Sequence, residues 1–365
     1  MVKFFCEWTT LGTDTLMVRK RLGLMKTSLH DVRSPVTANE ITGWVKLVFL
    51  AWCLVAAGTS PAKPMPIALP AAATGVEIQA ALDGLPATGG EVILPAGTFE
   101  VSEPIVLSRD NLTLRGTGEK TILHLADNAN CPVVILGEPV NAPSRTIRHL
   151  RVAGFFVDGN RAHQQRELWR LAGEGSEIRN NGLIVQSVSD SVVENVTCAR
   201  CRSGGLVTTL GVQRLTVRNL TAFDNEFDGL ACYLTSDSLF TGLNLHNNPC
   251  AGISLDLAFN HNIISNAILA ANDLGIFMRA SCENQFYDVT IRDCLHHGVF
   301  MAHAEAPRTE CADNAFTNLA AANCGAAAFR VNNITCTNNV LIRARFEGNV
   351  HGGISQVQPD LLTVR

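Results

Sequence analysis

Residues 228–279 read DGLACYLTSDSLFTGLNLHNNPCAGISLDLAFNHNIISNAILAANDLGIFMR. Within this stretch Gly229, Gly252 and Gly275 each open a short apolar alternation of period two. That period marks a strand with one face turned inward. Working outward, the unit appears again at Gly182, Gly205, Gly298, Ala327 and Gly353, with most steps about 23–24 residues long. One residue later come Leu183, Leu206, Leu230, Ile253, Ile276, Val299, Ala328 and Ile354. Two further on come Val185, Thr208, Cys232, Leu255, Met278, Met301, Arg330 and Gln356. A second alternation follows in each unit, as in RLTVRNLTA (214–222), IISNAIL (263–269) and FYDVTI (286–291). Asn262, Asn284, Asn314 and Asn339 recur at a matching turn, where stacked amides would bond one another and the turn backbone. A repeat of this length implies a solenoid. Strand periodicity and a glycine at each strand start predict an all-β parallel β-helix, since no single coil can bury its own apolar edge.

The region before the repeat agrees. GVEIQAALDGL (75–85) predicts a short amphipathic helix with Ile78, Leu82 and Leu85 on one side, placed to cap the open apolar end of the first coil. GGEVILPAGTFEV (89–101) and LTLRGTG (112–118) follow. This run resembles the opening of the pectate-lyase-like, right-handed parallel β-helix superfamily, and the resemblance extends over residues 67–365 as one domain. It implies fold more than function, because that scaffold hosts lyases, hydrolases, epimerases, tailspikes and adhesins. In pattern the chain is similar to the mannuronan C5-epimerase modules, through the same opening, the strand ending Asp158-Gly-Asn-Arg161, and the coil LTAFDNEFDGLACY (220–233). It departs from them at the catalytic coil, where Gly204, Val207 and Thr209 stand in place of the family's tyrosine, aspartate and histidine. Their calcium-binding nonapeptide repeats are missing too.

The 365 residues carry a formal charge of −4, unevenly distributed. Residues 1–63 hold more basic than acidic groups, and beyond them Lys120 is the one remaining lysine, so the body is net acidic. Such a body lacks the basic field that nucleic acid requires. LVFLAWCLVAA (47–57), preceded by Lys46 and followed by small residues, is too short to span a bilayer and has the order of a secretory signal. Residues 1–66 therefore read as an over-extended start plus signal peptide, with Met25-Lys26 the more natural beginning. A membrane-anchored stem is the alternative. The expected location is secreted or periplasmic, with no stable membrane span after signal removal. Cys198-Ala-Arg-Cys201 lacks the second pair that a zinc reading needs, and the repeat makes Cys294 and Cys324 a bonded or stacked pair. No metal-ligand set stands out. Scattered acidic turns leave calcium compatible without a recognisable loop.

Outward positions of the repeat place Tyr233, Asp256 and Arg279 in one row across three coils, about 4.8 Å apart, with Phe277 beside them. Asp228 and His297 sit near strand starts. Proton abstraction beside a sugar carboxylate needs a base, an acid for the leaving oxygen and a cation for the uronate. Tyr233 as acid or base, His297 as alternative base, Arg279 as neutraliser and Asp256 as orienter supply that set. Asp256 with Asp228 would supply the two carboxylates of a hydrolase. The same residues also read as a cross-strand ion pair, a turn aspartate and a turn histidine. The insertion 161–179 brings Arg161, Arg166, Trp169 and Arg170 together, either as sugar contacts or as a surface helix packed on the barrel. The expectation is an exported protein acting on an acidic polysaccharide by β-elimination. Hydrolysis is the second enzymatic option, and a noncatalytic glycan-binding or adhesion β-helix is the alternative of a different class.

Overall fold

The computed structural model describes residues 65–165, 179–302 and 310–365. The signal segment lies outside them, as do Arg166, Trp169 and Arg170. The chain winds as a right-handed parallel β-solenoid of about 12 turns with a spacing near 24 residues. Among the described residues the coils build a ten-stranded sheet and an eighteen-stranded sheet, both parallel throughout. The apolar alternation explains the core. Leu183, Leu206, Leu230, Ile253, Ile276 and Val299 are register partners on successive strands of the smaller sheet, and every one is fully buried.

Helix α1 (Gly75–Asp83) closes the first coil. Thr74 and Glu77 form a reciprocal capping box, Thr74 N–H donating to Glu77 Oε2 at 2.7 Å. The helix buries Ile78 and Leu82 completely and holds Leu85 beside them, covering the apolar end that strands alone would leave wet.

Glycine opens the coils at Gly182, Gly205, Gly229, Gly252, Gly275 and Gly298, where the next coil approaches too closely for a side chain. A Cβ on Gly275 would lie 2.5 Å from the Gly298 carbonyl oxygen, and one on Gly298 2.4 Å from that of Ala328. The C-terminal register corrects the sequence reading by one residue. Val299 pairs with Phe329 and Phe329 with Ile354, so Ala328, not Ala327, stands opposite Gly298, and Val331, not Arg330, follows Met301. A slip of one residue exchanges the two faces of a strand. The run GAAAF offers three interchangeable alanines, and only the need to bury the Phe329 ring selects among them.

Asparagine stacks do form at the expected turn. The N–H groups of Asn262, Asn284 and Asn314 donate to the Oδ1 of the next asparagine at 3.0, 3.1 and 3.1 Å, ending on Asn339. Each Nδ2 also reaches a carbonyl of the preceding coil, as from Asn284 to Phe259 at 2.8 Å. A second stack, Asn225–Asn248–Asn272, lines the opposite turn and was not anticipated.

Cys294 and Cys324 are free thiols, each donating to a carbonyl of its own coil, Cys294 Sγ to Arg292 at 3.8 Å and Cys324 Sγ to Ala322 at 3.7 Å, and Cys311 and Cys336 are likewise free and buried. Cys198 and Cys201 are core packing residues. Burial pushes the Cys198 thiol well up and those of Cys201 and Cys232 to about 12. Only the thiolate reacts. Alkylation of native protein at pH 8, followed by peptide mass spectrometry, should therefore leave Cys198, Cys201 and Cys232 unmodified until denaturant is added.

Candidate functional site

The outward row forms as the repeat requires. Tyr233 ends the strand Leu230–Tyr233 and is the register partner of Asp256. Arg279 follows Met278, the partner of Leu255, and so stands against Asp256 from the other side. Its Nε donates to Asp256 Oδ2 at 2.9 Å and its Nη2 reaches the same oxygen. Asp256 Oδ1 accepts from Leu257 N–H at 2.7 Å, leaving that carboxylate 2% exposed and engaged on both oxygens. The Arg279 guanidinium lies 5.9 Å from the Phe277 ring centre. Phe277 is itself buried, stacked on Phe300 with centroids 6.2 Å apart, and forms the apolar floor beneath the arginine.

Asp228, just before Gly229, is buried and accepts from Ala251 N–H at 2.9 Å. Burial pushes its carboxyl up to about 6, opposed by that hydrogen bond and by Arg179. The Tyr233 phenol is raised far above its ordinary value, chiefly by burial and then by the charge of Asp228, so it holds its proton at neutral pH. Two groups here escaped sequence reasoning. Arg179, the last residue of the insertion, arrives beside Phe227 with its guanidinium 5.3 Å from the ring centre, within electrostatic reach of Asp228 and Tyr233. Its position at the re-entry into the coil rhythm was the available signal. Ser254 stands between Ala231 and Phe277 in the outward column, fully buried, with an Oγ that has no hydrogen-bond partner.

His297 stands one coil beyond Arg279, outside the row itself. It lies three coils from Asp228 along the stack, roughly 14 Å at the strand spacing, its ring stacked on Phe300 and its Nδ1 accepting from Ala327 N–H at 3.2 Å. Burial lowers its pKa, which favours the neutral ring. Arg161 begins a single 3-10 turn (Arg161–His163) beyond the eighteen-stranded sheet, where its N–H donates to the Arg200 carbonyl. A cleft of about 250 Å³ opens at another corner, between Arg214, Asp237 and His261, and is separate from the row.

The family described as periplasmic copper-binding protein (NosD) matches residues 152–353, more than half of the chain. The chain belongs to the NosD family. No curated protein matches it. Among solved structures, this NosD-family chain is similar to an alginate lyase from Paenibacillus sp. str. FPU-7. The identity is 10%, the TM-score 0.58, and 82% of this chain and 99% of that one are covered. It is also similar to a hyperthermoactive exopolygalacturonase from Thermotoga maritima, at 10% identity and TM-score 0.51 over 83% and 93% of the two chains. A third is the A-module of an Azotobacter vinelandii mannuronan C-5 epimerase, at 16% identity and TM-score 0.48 over 80% and 100%. At these identities the likeness is one of fold. The donor set described does not suit copper. Among the described residues no three His, Cys, Asp or Glu side chains are placed to hold a metal, and the C-x-x-C thiols of this NosD-family protein are sealed in the core. No helix among them is long and apolar enough to cross a membrane.

Proposed function

We propose that this NosD-family protein is exported to the periplasm or beyond and acts on a uronate-containing polysaccharide by β-elimination. The observation that carries the reading is the three-coil row of Tyr233, Asp256 and Arg279 with the buried Asp228 beside it. Arg279, anchored by Asp256, neutralises the uronate carboxylate and so acidifies the adjacent C5 proton. Ionised Asp228 takes that proton. The C5–H electron pair becomes the C4=C5 double bond, the C4–O bond breaks, and the neutral Tyr233 phenol protonates the leaving oxygen. Asp256 is a positioning residue, and no step uses copper. Hydrolysis is less well supported, because both Asp256 oxygens are already engaged. A noncatalytic glycan-binding β-helix is the second reading, favoured by the burial of Asp256, which also suits a plain ion pair.

The test is ultraviolet absorbance of the new double bond, using the full chain with a panel of alginates and polygalacturonates. Absorbance should rise, falling about 100-fold or more in rate for Tyr233→Phe and for Arg279→Ala. Silence across the panel sinks the elimination and leaves the binding reading.

A further inference from the structure

A second cluster stands on the outward face of the eighteen-stranded sheet, away from the row. Register brings His124 against Asp158, Asp158 against Ala199, Ala199 against Phe223 and Phe223 against His246. The Phe223 and His246 rings lie face to face, centroids 5.0 Å apart and planes 3° apart. Phe156 meets Phe223 edge-on at 6.4 Å, and the Arg200 guanidinium covers Phe156 at 5.4 Å. Arg200 Nε donates to Asp158 Oδ1 at 3.0 Å, and His124 Nδ1 lies 3.0 Å from Asp158 Oδ2. Phe156, Phe223 and His246 are all partly open to solvent, whereas the core at this level is built by their inward neighbours Val157, Ala222 and Leu245.

Packing does not account for this surface. Aromatic rings on an outward face bury little area, and here they are combined with a rim of donors and an acceptor held in fixed geometry. We propose that Phe156, Phe223 and His246, rimmed by Arg200, Asp158 and His124, form an accessory polysaccharide-binding platform. A pyranose packs its apolar C–H groups along the exposed ring edges of the Phe223–His246 stack and sets its hydroxyls against the rim. Coils spaced about 4.8 Å apart advance by close to one sugar unit, so a glycan chain lying along the solenoid axis meets each ring in turn. Charge agrees with this occupant: Asp158 is matched by Arg200 and faces His124, so the rim offers hydrogen bonds without a strong net field that would demand a polyion. Arg161, whose N–H is bonded to the Arg200 carbonyl, belongs with this platform and not with the row.

The platform goes beyond the elimination reading and stands without it. Affinity electrophoresis of the full chain through gels containing alginate, polygalacturonate or hydroxyethyl cellulose tests it. At least one polymer should retard the parent, and Phe223→Ala and His246→Ala should each weaken that retardation about tenfold. Phe223→Tyr keeps the ring and should retain the retardation, and Tyr287→Phe, at an exposed position outside both sites, should migrate as the parent does, with thermal midpoints unchanged in all four variants. Retardation unaltered by Phe223→Ala and His246→Ala, or no retardation of the parent by any polymer, overturns the platform. The two proposals fail separately: loss of retardation in Phe223→Ala with no ultraviolet signal from the parent retains the platform and rejects the elimination. An ultraviolet signal with parent-like retardation of Phe223→Ala does the reverse.

Discussion

Asn284→Ala is expected to lower the unfolding free energy by about 3–5 kcal/mol, the sum of two or three buried polar groups left without partners at about 1–3 kcal/mol each. Asn284 Oδ1 accepts from the Asn262 N–H at 3.0 Å and from Asn262 Nδ2 at 3.2 Å, and its own Nδ2 serves the Phe259 carbonyl. Alanine removes all of these bonds at a fully buried turn, where water does not replace them. The effect should appear as a lower midpoint of urea unfolding followed by circular dichroism. Asn244→Thr, at an exposed strand position, should stay within about 0.5 kcal/mol. Equal midpoints for the two variants would show that the stack does not hold the turns together.

Asp228→Asn is expected to stabilise the protein at neutral pH while removing its activity. In the folded chain this carboxyl titrates at about 6, against its ordinary value of 3.8. Below about pH 4 both folded and unfolded forms carry the proton and the group contributes nothing. As pH rises the unfolded form ionises first, so the folded state loses stability until its own carboxyl ionises near pH 6, and the loss is constant above that. The two-unit rise corresponds to about 2–3 kcal/mol. Asparagine escapes this penalty and keeps an oxygen for the Ala251 N–H. The gain should therefore be absent at pH 4 and complete by pH 7 in thermal unfolding. On the elimination reading the parent rate rises with pH through about 6 as the base ionises, and Asp228→Asn loses about 100-fold or more. Equal stability of the two proteins at pH 7 would mean that Asp228 is not strained, and the base assignment would fall with it.

The fold was largely legible because a β-solenoid writes its geometry into local repetition. Gly229, Gly252 and Gly275 with their period-two neighbours state both the strand and its inward face, and Asn262, Asn284 and Asn314 state the turn. The exception is instructive. In GAAAF the side chains do not distinguish one register from the next, and the position of Phe329 in the core settled what periodicity left open. The Asn225–Asn248–Asn272 stack was missed because its members sit beside other turn-forming polar residues, Asp224, Asn247 and Asp273, with nothing local to separate the inward one.

The candidate row was legible for the same reason as the fold: Tyr233, Asp256 and Arg279 hold equivalent places in consecutive coils, so sequence spacing converts directly into spatial adjacency. His297 shows the limit of that rule. It resembles a row neighbour by its place before a glycine, yet it is three coils from Asp228 and its Nδ1 is committed to Ala327.

By itself, then, the sequence determined the solenoid, its capping helix, the inward faces and the alignment of the row, all of which follow from a short repeat acting on near neighbours. Tertiary structure alone decided the charge state of Asp228, the arrival of Arg179, the orphaned hydroxyl of Ser254 and the aromatic surface around Phe223. Those depend on burial and on contacts between coils and the re-entry of an insertion, which a period of 23–24 residues does not encode.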